Sequence, residues 1–239
     1  MSGQWRLLLA ALRFGSHLPA AAFKGTGVAY PGAAARYFPV AGALVGALGG
    51  AVYWLGAQLW PTSIAVVLAM LATTAMSSRR RESADAGQPA GEPAPRGGGS
   101  ALDGGGRAFG IVAFVFALLL KYNALMALSA AGLPFAAPAN AALGLIMICG
   151  HAASFALAVS VMGVSSGSLS IALLIGFAPA AVLGIPGLVG LAGAVIGSLG
   201  FAAYLRFERS AGSRDALDMT RLLSEACFYL GALAAWSYV

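Results

Sequence analysis

The chain contains about seven apolar stretches, each close to the length of a helix that crosses a lipid bilayer. A spanning helix needs about 20 apolar residues and satisfies its own backbone hydrogen bonds inside the hydrocarbon core. Only 9% of the residues are charged, whereas a soluble domain has about 25%, so a water-soluble fold is excluded. We therefore predict an all-α, polytopic transmembrane helical bundle. The predicted spans are residues 37–59, 60–76, 108–133, 139–164, 169–185, 187–205 and 222–239.

A separate N-terminal segment, residues 1–36, precedes these spans. Within it, residues 4–14 predict an amphipathic helix that lies at the membrane interface. Its apolar side chains recur at the spacing of one helix face, whereas Arg6 and Arg13 lie off that face. Because Arg13 interrupts the apolar run, we expect no cleavable signal peptide. Residues 37–239 are predicted to form a single transmembrane domain. The apolar face consists of Trp5, Leu8, Leu9 and Leu12.

The distribution of basic residues predicts the orientation. Apart from Lys121, every lysine and arginine lies in residues 6–36, 79–107 or 206–221. With seven spans these three segments share one side of the membrane, so the positive-inside rule predicts that the N-terminus is cytoplasmic and the C-terminus is outside. Residues 77–107 are rich in Gly, Pro and polar side chains and predict a flexible cytoplasmic loop. The net charge of +6 thus reflects membrane topology, and we predict no nucleic-acid partner.

Two ionisable residues, Lys121 and His151, fall inside predicted spans. An ionisable group in the bilayer costs several kcal/mol unless it pairs, faces a cavity or reaches the interface. Lys121 lies too deep to reach the interface easily, which leaves either a functional role or a structural ion pair. For His151, a hydrogen-bonded histidine in the core is the favoured interpretation.

Carboxylates cluster near the beginning of the last predicted span. On a helix, Asp218, Leu222 and Glu225 share one face. With basic residues close by, such a cluster at the cytoplasmic membrane surface suits a hard divalent cation and a phosphate. The spacing by itself, however, favours a solvated, charge-balanced beginning of a helix. The charged residues are Asp215, Asp218 and Glu225, with Arg214 and Arg221 beside them.

Four stretches of the sequence carry a resemblance to a known family. They are 14–19 (FGSHLP), 37–42 (YFPVAG, with Gly46 beyond), 118–121 (LLLK), and 215–230, which runs from DALD through Glu225 to FYL. In this order and spacing they resemble motifs of the cobalamin synthase family, also called adenosylcobinamide-GDP ribazoletransferases. The resemblance covers nearly the whole chain.

The resemblance implies a role in cobalamin (vitamin B12) biosynthesis, in the assembly of the nucleotide loop. Enzymes of this family transfer α-ribazole, or its 5′-phosphate, to adenosylcobinamide-GDP, giving adenosylcobalamin (or its phosphate) and GMP, with Mg²⁺ as cofactor. The implied partners are these two substrates and the lipid bilayer of the bacterial cytoplasmic (inner) membrane. A homo-oligomer and a complex with other corrinoid enzymes are both left open.

The resemblance also implies site residues, position by position. Asp215 matches the aspartate of the late motif, Glu225 the late glutamate, and Lys121 the lysine of the third span, so we expect these three to be catalytic. Asp103 matches the aspartate that precedes the third span. Asp103, Asp215 and the neighbouring Asp218 are the expected Mg²⁺ ligands.

The chain departs from the family pattern after the second span. There the family carries a run similar to His-x-Asp-Gly-x-x-Asp-x-x-Asp-Gly, whereas residues 77–87 read SSRRRESADAG. Basic residues thus stand where metal-binding carboxylates are expected. Two explanations fit: a divergent paralogue with lost or altered activity, or a shifted reading frame across part of residues 77–106.

Two other function classes follow from this departure and from the span composition. The first is a catalytically degenerate paralogue that binds corrinoid or acts as a membrane scaffold for partner enzymes. The second is a small transporter, which is disfavoured because only Lys121 and His151 are available to line a polar path and no repeated pair of broken helices is evident.

The transferase hypothesis predicts that Asp215→Ala abolishes product formation, because the variant loses an expected metal-binding carboxylate. The measurement is product formation by membranes that contain the variant, together with the amount of protein retained in those membranes. Normal turnover by a membrane-inserted Asp215→Ala variant would contradict the site assignment.

Overall fold

The computed structural model describes residues 3–15, 32–77, 103–131, 139–162, 164–207 and 214–236. Within these ranges all regular structure is helical, which confirms the predicted all-α class. Short 3-10 helices at Ala35–Tyr37, Val159–Met162 and Ala178–Leu183 adjoin the α-helices. The α-helices are α1 (Gly3–Gly15), α2 (Phe38–Leu59), α3 (Thr62–Ser77), α4 (Asp103–Ala130), α5 (Ala139–Ala158), α6 (Ser166–Phe177), α7 (Ile185–Phe207) and α8 (Arg214–Trp236).

Five helical segments are long and apolar enough to cross a membrane, which makes the chain a polytopic membrane protein. The other two predicted spans correspond to α3, which is apolar but shorter, and to α8, whose first turns carry charged residues. The five segments are Ala35–Leu59, Val112–Ala130, Ala141–Met162, Ser166–Leu183 and Ile185–Tyr204.

Several helices extend beyond the apolar stretches that predict them. α4 begins at Asp103 instead of residue 108, and α8 begins at Arg214 instead of residue 222. Hydrophobicity marks only the part of a helix inside the bilayer, whereas the hydrogen-bonded backbone continues into the charged flank. Most of the predicted loop 77–107, namely residues 78–102, lies outside the described residues.

Proline and glycine mark two of the helix junctions. α2 ends at Leu59, and Trp60 adopts an extended conformation with φ −133° and ψ 160°, since a residue before proline avoids the helical region. Between the 3-10 turn that follows α6 and the beginning of α7, Gly184 has φ 62°, a left-handed conformation that glycine adopts without strain.

The amphipathic N-terminal helix is present, and α1 contacts α2 and the 3-10 turn before it. Ala11 is fully buried, whereas Trp5 is half exposed. The Tyr37 hydroxyl donates a hydrogen bond to Gln4 Oε1 at 2.8 Å. These contacts dock α1 beside the first span, while its position at the membrane interface stays a prediction.

α5 is the central helix of the bundle. In the most apolar part of this helix, 72% of the residues are buried inside the protein, compared with 22–44% in the other four long apolar segments. It contacts α2, α6, α7 and α8, and α8 in turn contacts α4 and α7. A polar residue that α5 or α8 turns inward is therefore shielded from lipid.

Glycines on one face of α2 allow its backbone to approach α5 closely. A Cβ added at Gly46 would lie 2.5 Å from the Met147 carbonyl oxygen, and one at Gly50 would lie 2.7 Å from Gly144 Cα. Real Cβ atoms do not approach backbone this closely, so the contact requires glycine. The small-residue face of α2 thus packs within the chain, as small residues do between membrane helices.

We expect Gly46→Ala to destabilise the bundle by about 1–3 kcal/mol, because the added methyl group forces α2 and α5 apart. The measurement is the unfolding transition of the protein in detergent or nanodiscs. Gly200→Ala on α7 is the matched control: its Cβ meets nothing within 4 Å, so we expect stability to be unchanged or slightly raised. Equal effects of the two substitutions would refute the close-packing argument.

Candidate functional site

A cavity of about 120 Å³ lies between α3, α4, α5 and α8. This volume is well below the ~300–1,000 Å³ of pockets that enclose drug-sized ligands, so it suits a small group such as a phosphate. The cavity extends from Asp218, whose side chain is 53% exposed, to Glu225, whose side chain is 8% exposed. It is lined by Thr73, Thr74, Ser77, Phe114, Lys121, His151, Asp218, Arg221, Leu222 and Glu225.

Lys121 and Glu225 form a buried ion pair at the base of the cavity. Lys121 Nζ lies 2.7 Å from Glu225 Oε1 and donates a longer hydrogen bond, 3.5 Å, to Thr73 Oγ1. Both side chains are more than nine-tenths buried. An unpaired charge in this apolar interior would be costly, so the pair explains how Lys121 is accommodated deep in a span. Of the two roles left open for Lys121, the ion pair is therefore present.

The Tyr229 hydroxyl and the His151 ring both approach the same carboxylate oxygen. The Tyr229 hydroxyl donates to Glu225 Oε1 at 2.8 Å, and His151 Nδ1 lies 3.1 Å from that oxygen. His151 Nδ1 is also 2.9 Å from the Met147 carbonyl oxygen. Since a carbonyl only accepts, Nδ1 carries the proton in this arrangement. The prediction of a hydrogen-bonded core histidine is confirmed, and His151 is in addition part of the charged cluster.

Arg221 occupies the outer part of the cavity. Its guanidinium group lies 4.3 Å from the centre of the Phe155 ring, lies 3.4 Å from Asp218 Oδ1 and donates to the Ser77 carbonyl oxygen at 3.4 Å. Ser77 is the last residue of α3, so the arginine interacts favourably with the negative end of that helix dipole. These contacts on three sides fix the direction of the guanidinium group.

One face of α8 supplies much of the cavity wall. Asp218, Leu222 and Glu225 line the cavity together, so the predicted shared face is confirmed. Arg221 lies on the same face, three residues after Asp218. The alternative interpretation is a solvated, charge-balanced beginning of the helix. It is wrong for Glu225, which is buried and paired. Among the described carboxylates of α8 it applies to Asp218, which is half exposed.

Two of the expected site residues have side chains that the structure does not describe. Asp103 and Asp215 lie in the first turns of α4 and α8, but their side chains lie outside the described part of the molecule. Among the side chains that are described, no group of three His, Cys, Asp or Glu is placed to hold a metal. Glu225 Oε1 accepts from Lys121 and Tyr229 and lies beside His151, and Asp218 faces Arg221. These two carboxylates alone do not fit a Mg²⁺ site, and the Mg²⁺ expectation stays a prediction.

Tyr229, Thr73 and Phe155 are not among the predicted site residues, although Tyr229 lies in the FYL stretch of the last motif. A signal existed only for Tyr229, which lies four residues after Glu225 and therefore on the same helix face. Thr73 and Phe155 come from other helices, and apolar spans contain many such residues. Their relation to the charged cluster depends on how the helices rotate against each other.

The cavity has the chemistry of an anion-binding site in which two carboxylates balance the charge of two cations. Arg221 and Lys121 place two cations at different depths, and both residue types bind phosphate oxygens. The ammonium group of Lys121 has three N–H donors. Among the described residues, two of them bind Glu225 and Thr73, which leaves one for the cavity. A phosphate group bridging the two cations is therefore compatible with this geometry.

Comparisons with known proteins agree with the sequence motifs. A family model described as cobalamin-5-phosphate synthase matches residues 7–79. The adenosylcobinamide-GDP ribazoletransferase of Leptothrix cholodnii is 44% identical over 68 residues, which is 28% of this chain and 26% of that protein. Proteins of the same name from Ralstonia pickettii and Ralstonia nicotianae are 35% and 36% identical, each over 65% of this chain.

The chain matches less than two thirds of the length of these relatives, namely 60% of the Ralstonia pickettii protein and 59% of the Ralstonia nicotianae protein. No solved structure matches this chain significantly.

The buried ion pair makes a prediction for stability. We expect Lys121→Met to destabilise the protein by about 3–5 kcal/mol, because it leaves the Glu225 carboxylate buried without its cation. Replacing both partners, Lys121→Met with Glu225→Gln, should recover part of this loss. The measurement is the unfolding free energy in detergent micelles or bicelles.

The control is Asn123→Ala, which removes a polar side chain from the exposed face of the same helix and should change stability by about 0.5 kcal/mol or less. Equal stability of the Lys121→Met and Asn123→Ala variants would show that the pair does not contribute.

Proposed function

We propose that this chain is a member of the cobalamin synthase family and an adenosylcobinamide-GDP ribazoletransferase that acts in nucleotide loop assembly. One observation supports this most strongly. Lys121 and Glu225 match family motifs in different parts of the sequence, and they meet at 2.7 Å on the wall of one cavity. Two charged residues that are about 100 positions apart, each within a matched motif, thus share one cavity wall.

The proposed reaction is the displacement of GMP from a diphosphate. A ribose hydroxyl of α-ribazole, or of its 5′-phosphate, attacks the phosphorus atom next to cobinamide. The new P–O bond forms a phosphodiester, while the P–O bond of the anhydride breaks and GMP leaves with that electron pair. The hydroxyl proton is released, so atoms and charge balance without an oxidant or reductant.

The cavity dimensions limit which part of the substrate enters it. At about 120 Å³ the cavity holds phosphate groups, whereas the corrinoid and the nucleoside are too large and would bind outside it. In this proposal Arg221 and Lys121 bind diphosphate oxygens, stabilising the negative charge that develops as GMP leaves. Glu225 is proposed to hold Lys121 in position, and Asp215 completes the catalytic set carried over from the family.

Mg²⁺ is part of the same proposal. Asp218 is the described carboxylate at the exposed end of the cavity, and Asp103 and Asp215 are proposed to join it as ligands. When bound, the ion would neutralise charge on the diphosphate. Because residues 77–87 carry Arg79–Arg81 where the family has acidic residues, the proposed site depends on these three aspartates.

We also propose a location and an assembly. The three basic segments support an orientation in the bacterial cytoplasmic (inner) membrane in which the exposed end of the cavity faces the cytoplasm. Both substrates are soluble and would reach the cavity from that side. A homo-oligomer, or a complex with enzymes that handle corrinoids, is the corresponding proposal for its partners.

The test is Mg²⁺-dependent turnover of adenosylcobinamide-GDP with α-ribazole by the full chain in nanodiscs, with GMP and the corrinoid product measured by mass spectrometry. We expect turnover that EDTA abolishes. Arg221→Gln should lower kcat/KM about 10- to 100-fold, as expected for the loss of a hydrogen bond to a charged group.

Arg6→Gln is the matched control, because Arg6 lies on the exposed side of α1 and away from the cavity, so we expect normal turnover. Absence of product from folded, monodisperse wild-type protein would reject the transferase. The degenerate paralogue, a corrinoid-binding or scaffold protein, would then be the better description.

A further inference from the structure

At the base of the cavity, four buried residues meet, of which Lys121, His151 and Glu225 line the cavity and Tyr229 lies behind them. Three groups converge on one atom, Glu225 Oε1: Lys121 Nζ at 2.7 Å and Tyr229 Oη at 2.8 Å donate to it, and His151 Nδ1, whose N–H faces the Met147 carbonyl oxygen, lies 3.1 Å away. All four residues are more than nine-tenths buried. In an apolar interior each of these contacts is stronger than it would be in water.

These three residues come from three different helices. Tyr229 lies one turn after Glu225 on α8, His151 is on α5 and Lys121 is on α4. The imidazole of His151 is itself held by the Met147 carbonyl oxygen one turn earlier, at 2.9 Å. The carboxylate is thus held by donors that cannot move independently of the bundle.

The backbone of α5 leaves room for the Tyr229 hydroxyl. A Cβ added at Gly150 would lie 2.7 Å from Cε1 of the Tyr229 ring and 3.0 Å from its hydroxyl oxygen. Any larger residue at position 150 would therefore push the phenol away from Glu225. The fully buried tyrosine is seated on glycine backbone with its hydroxyl directed at the carboxylate.

The donors leave one carboxylate oxygen for the cavity. Every contact made with Glu225 by the described residues falls on Oε1, while Glu225 itself lines the cavity. Tyr229 does not line it, so its hydroxyl acts on the site through the lining residues that it contacts, Glu225 at 2.8 Å and the His151 ring at 3.3 Å. This separates Tyr229 from residues that would touch the substrate.

We propose that Tyr229, supported by His151, is a positioning residue that fixes the carboxylate of Glu225 and, through it, the ammonium of Lys121 toward the cavity. For catalysis the proposal rests on the transferase function. The positioning itself concerns the protein alone. In this proposal Tyr229 orients Glu225, and through it Lys121, whether or not the chain turns substrate over.

The experiment uses Tyr229→Phe, which removes only the hydroxyl, in the full chain in nanodiscs. Tyr53→Phe is the matched control, because Tyr53 is a buried tyrosine of α2 outside this cluster. With respect to turnover of adenosylcobinamide-GDP with α-ribazole, we expect Tyr229→Phe to lower kcat about 10- to 100-fold with KM unchanged within about twofold. Tyr53→Phe should change neither.

A second readout does not depend on turnover. The sequence contains only two lysines, Lys24 and Lys121, so ¹⁵N-lysine labelling gives two Nζ signals, and Lys121→Met assigns one of them. We expect Tyr229→Phe to shift and broaden the Lys121 signal and to leave the Lys24 signal in place. Tyr53→Phe should leave both signals in place.

His151 gives a rescue test, because an asparagine amide can donate from about the position of Nδ1. We expect His151→Asn to retain more turnover, and a Lys121 signal closer to wild type, than His151→Leu.

The outcomes separate the two proposals. If wild type shows no turnover but Tyr229→Phe moves the Lys121 signal, the transferase fails and the positioning role stands. If Tyr229→Phe leaves both the Lys121 signal and any turnover unchanged, the positioning role is overturned. A loss of kcat and a rise of KM that Tyr53→Phe reproduces would mark a general effect of losing a buried hydroxyl and would likewise overturn it.

Discussion

The ion pair between Lys121 and Glu225 constrains most of this structure. A lone charge at that depth in a membrane protein costs several kcal/mol, and the charge of each partner is acceptable only while the other is within reach. Keeping Nζ and Oε1 2.7 Å apart fixes the rotation of α4 relative to α8. His151 on α5 lies 3.1 Å from the same oxygen, and Tyr229, one turn after Glu225 on α8, donates to it. A single carboxylate oxygen thus sets the mutual register of three helices.

The exposure of the charged side chains decreases along the cavity-lining face of α8. Asp218 is half exposed, Arg221 is partly covered by the Phe155 ring, and Glu225 is almost fully buried. Two cations, Arg221 and Lys121, and two carboxylates, Asp218 and Glu225, line the cavity. Their charges cancel overall, but the cavity is strongly polar along its whole depth. In the proposed transferase, a phosphate group entering the cavity would meet the fixed donors of the outer arginine first. Such preorganised donors need little rearrangement when negative charge develops on a leaving group.

Glycine determines how closely the helices approach, and so whether these polar atoms can meet. Lipid offers no hydrophobic driving force between helices, so close backbone packing supplies much of their association. Gly46 and Gly50 seat α2 on α5. Gly150 serves the site more directly, since its missing side chain is the space that the Tyr229 ring occupies. The packing of the bundle and the geometry of its polar cluster therefore depend on the same kind of residue.

The sequence by itself determined the all-α membrane fold, the approximate spans, the shared face of Asp218, Leu222 and Glu225, and the unusual status of Lys121. Each of these follows from a local property: hydropathy, helical periodicity or the cost of burying one charge. Only the tertiary structure decided that Lys121 pairs with Glu225 and that Tyr229 holds the same oxygen. It also decided that Arg221 rests on Phe155. These contacts depend on the rotation and separation of helices that are distant in sequence. A uniformly apolar span does not indicate which of its faces packs against which neighbouring helix.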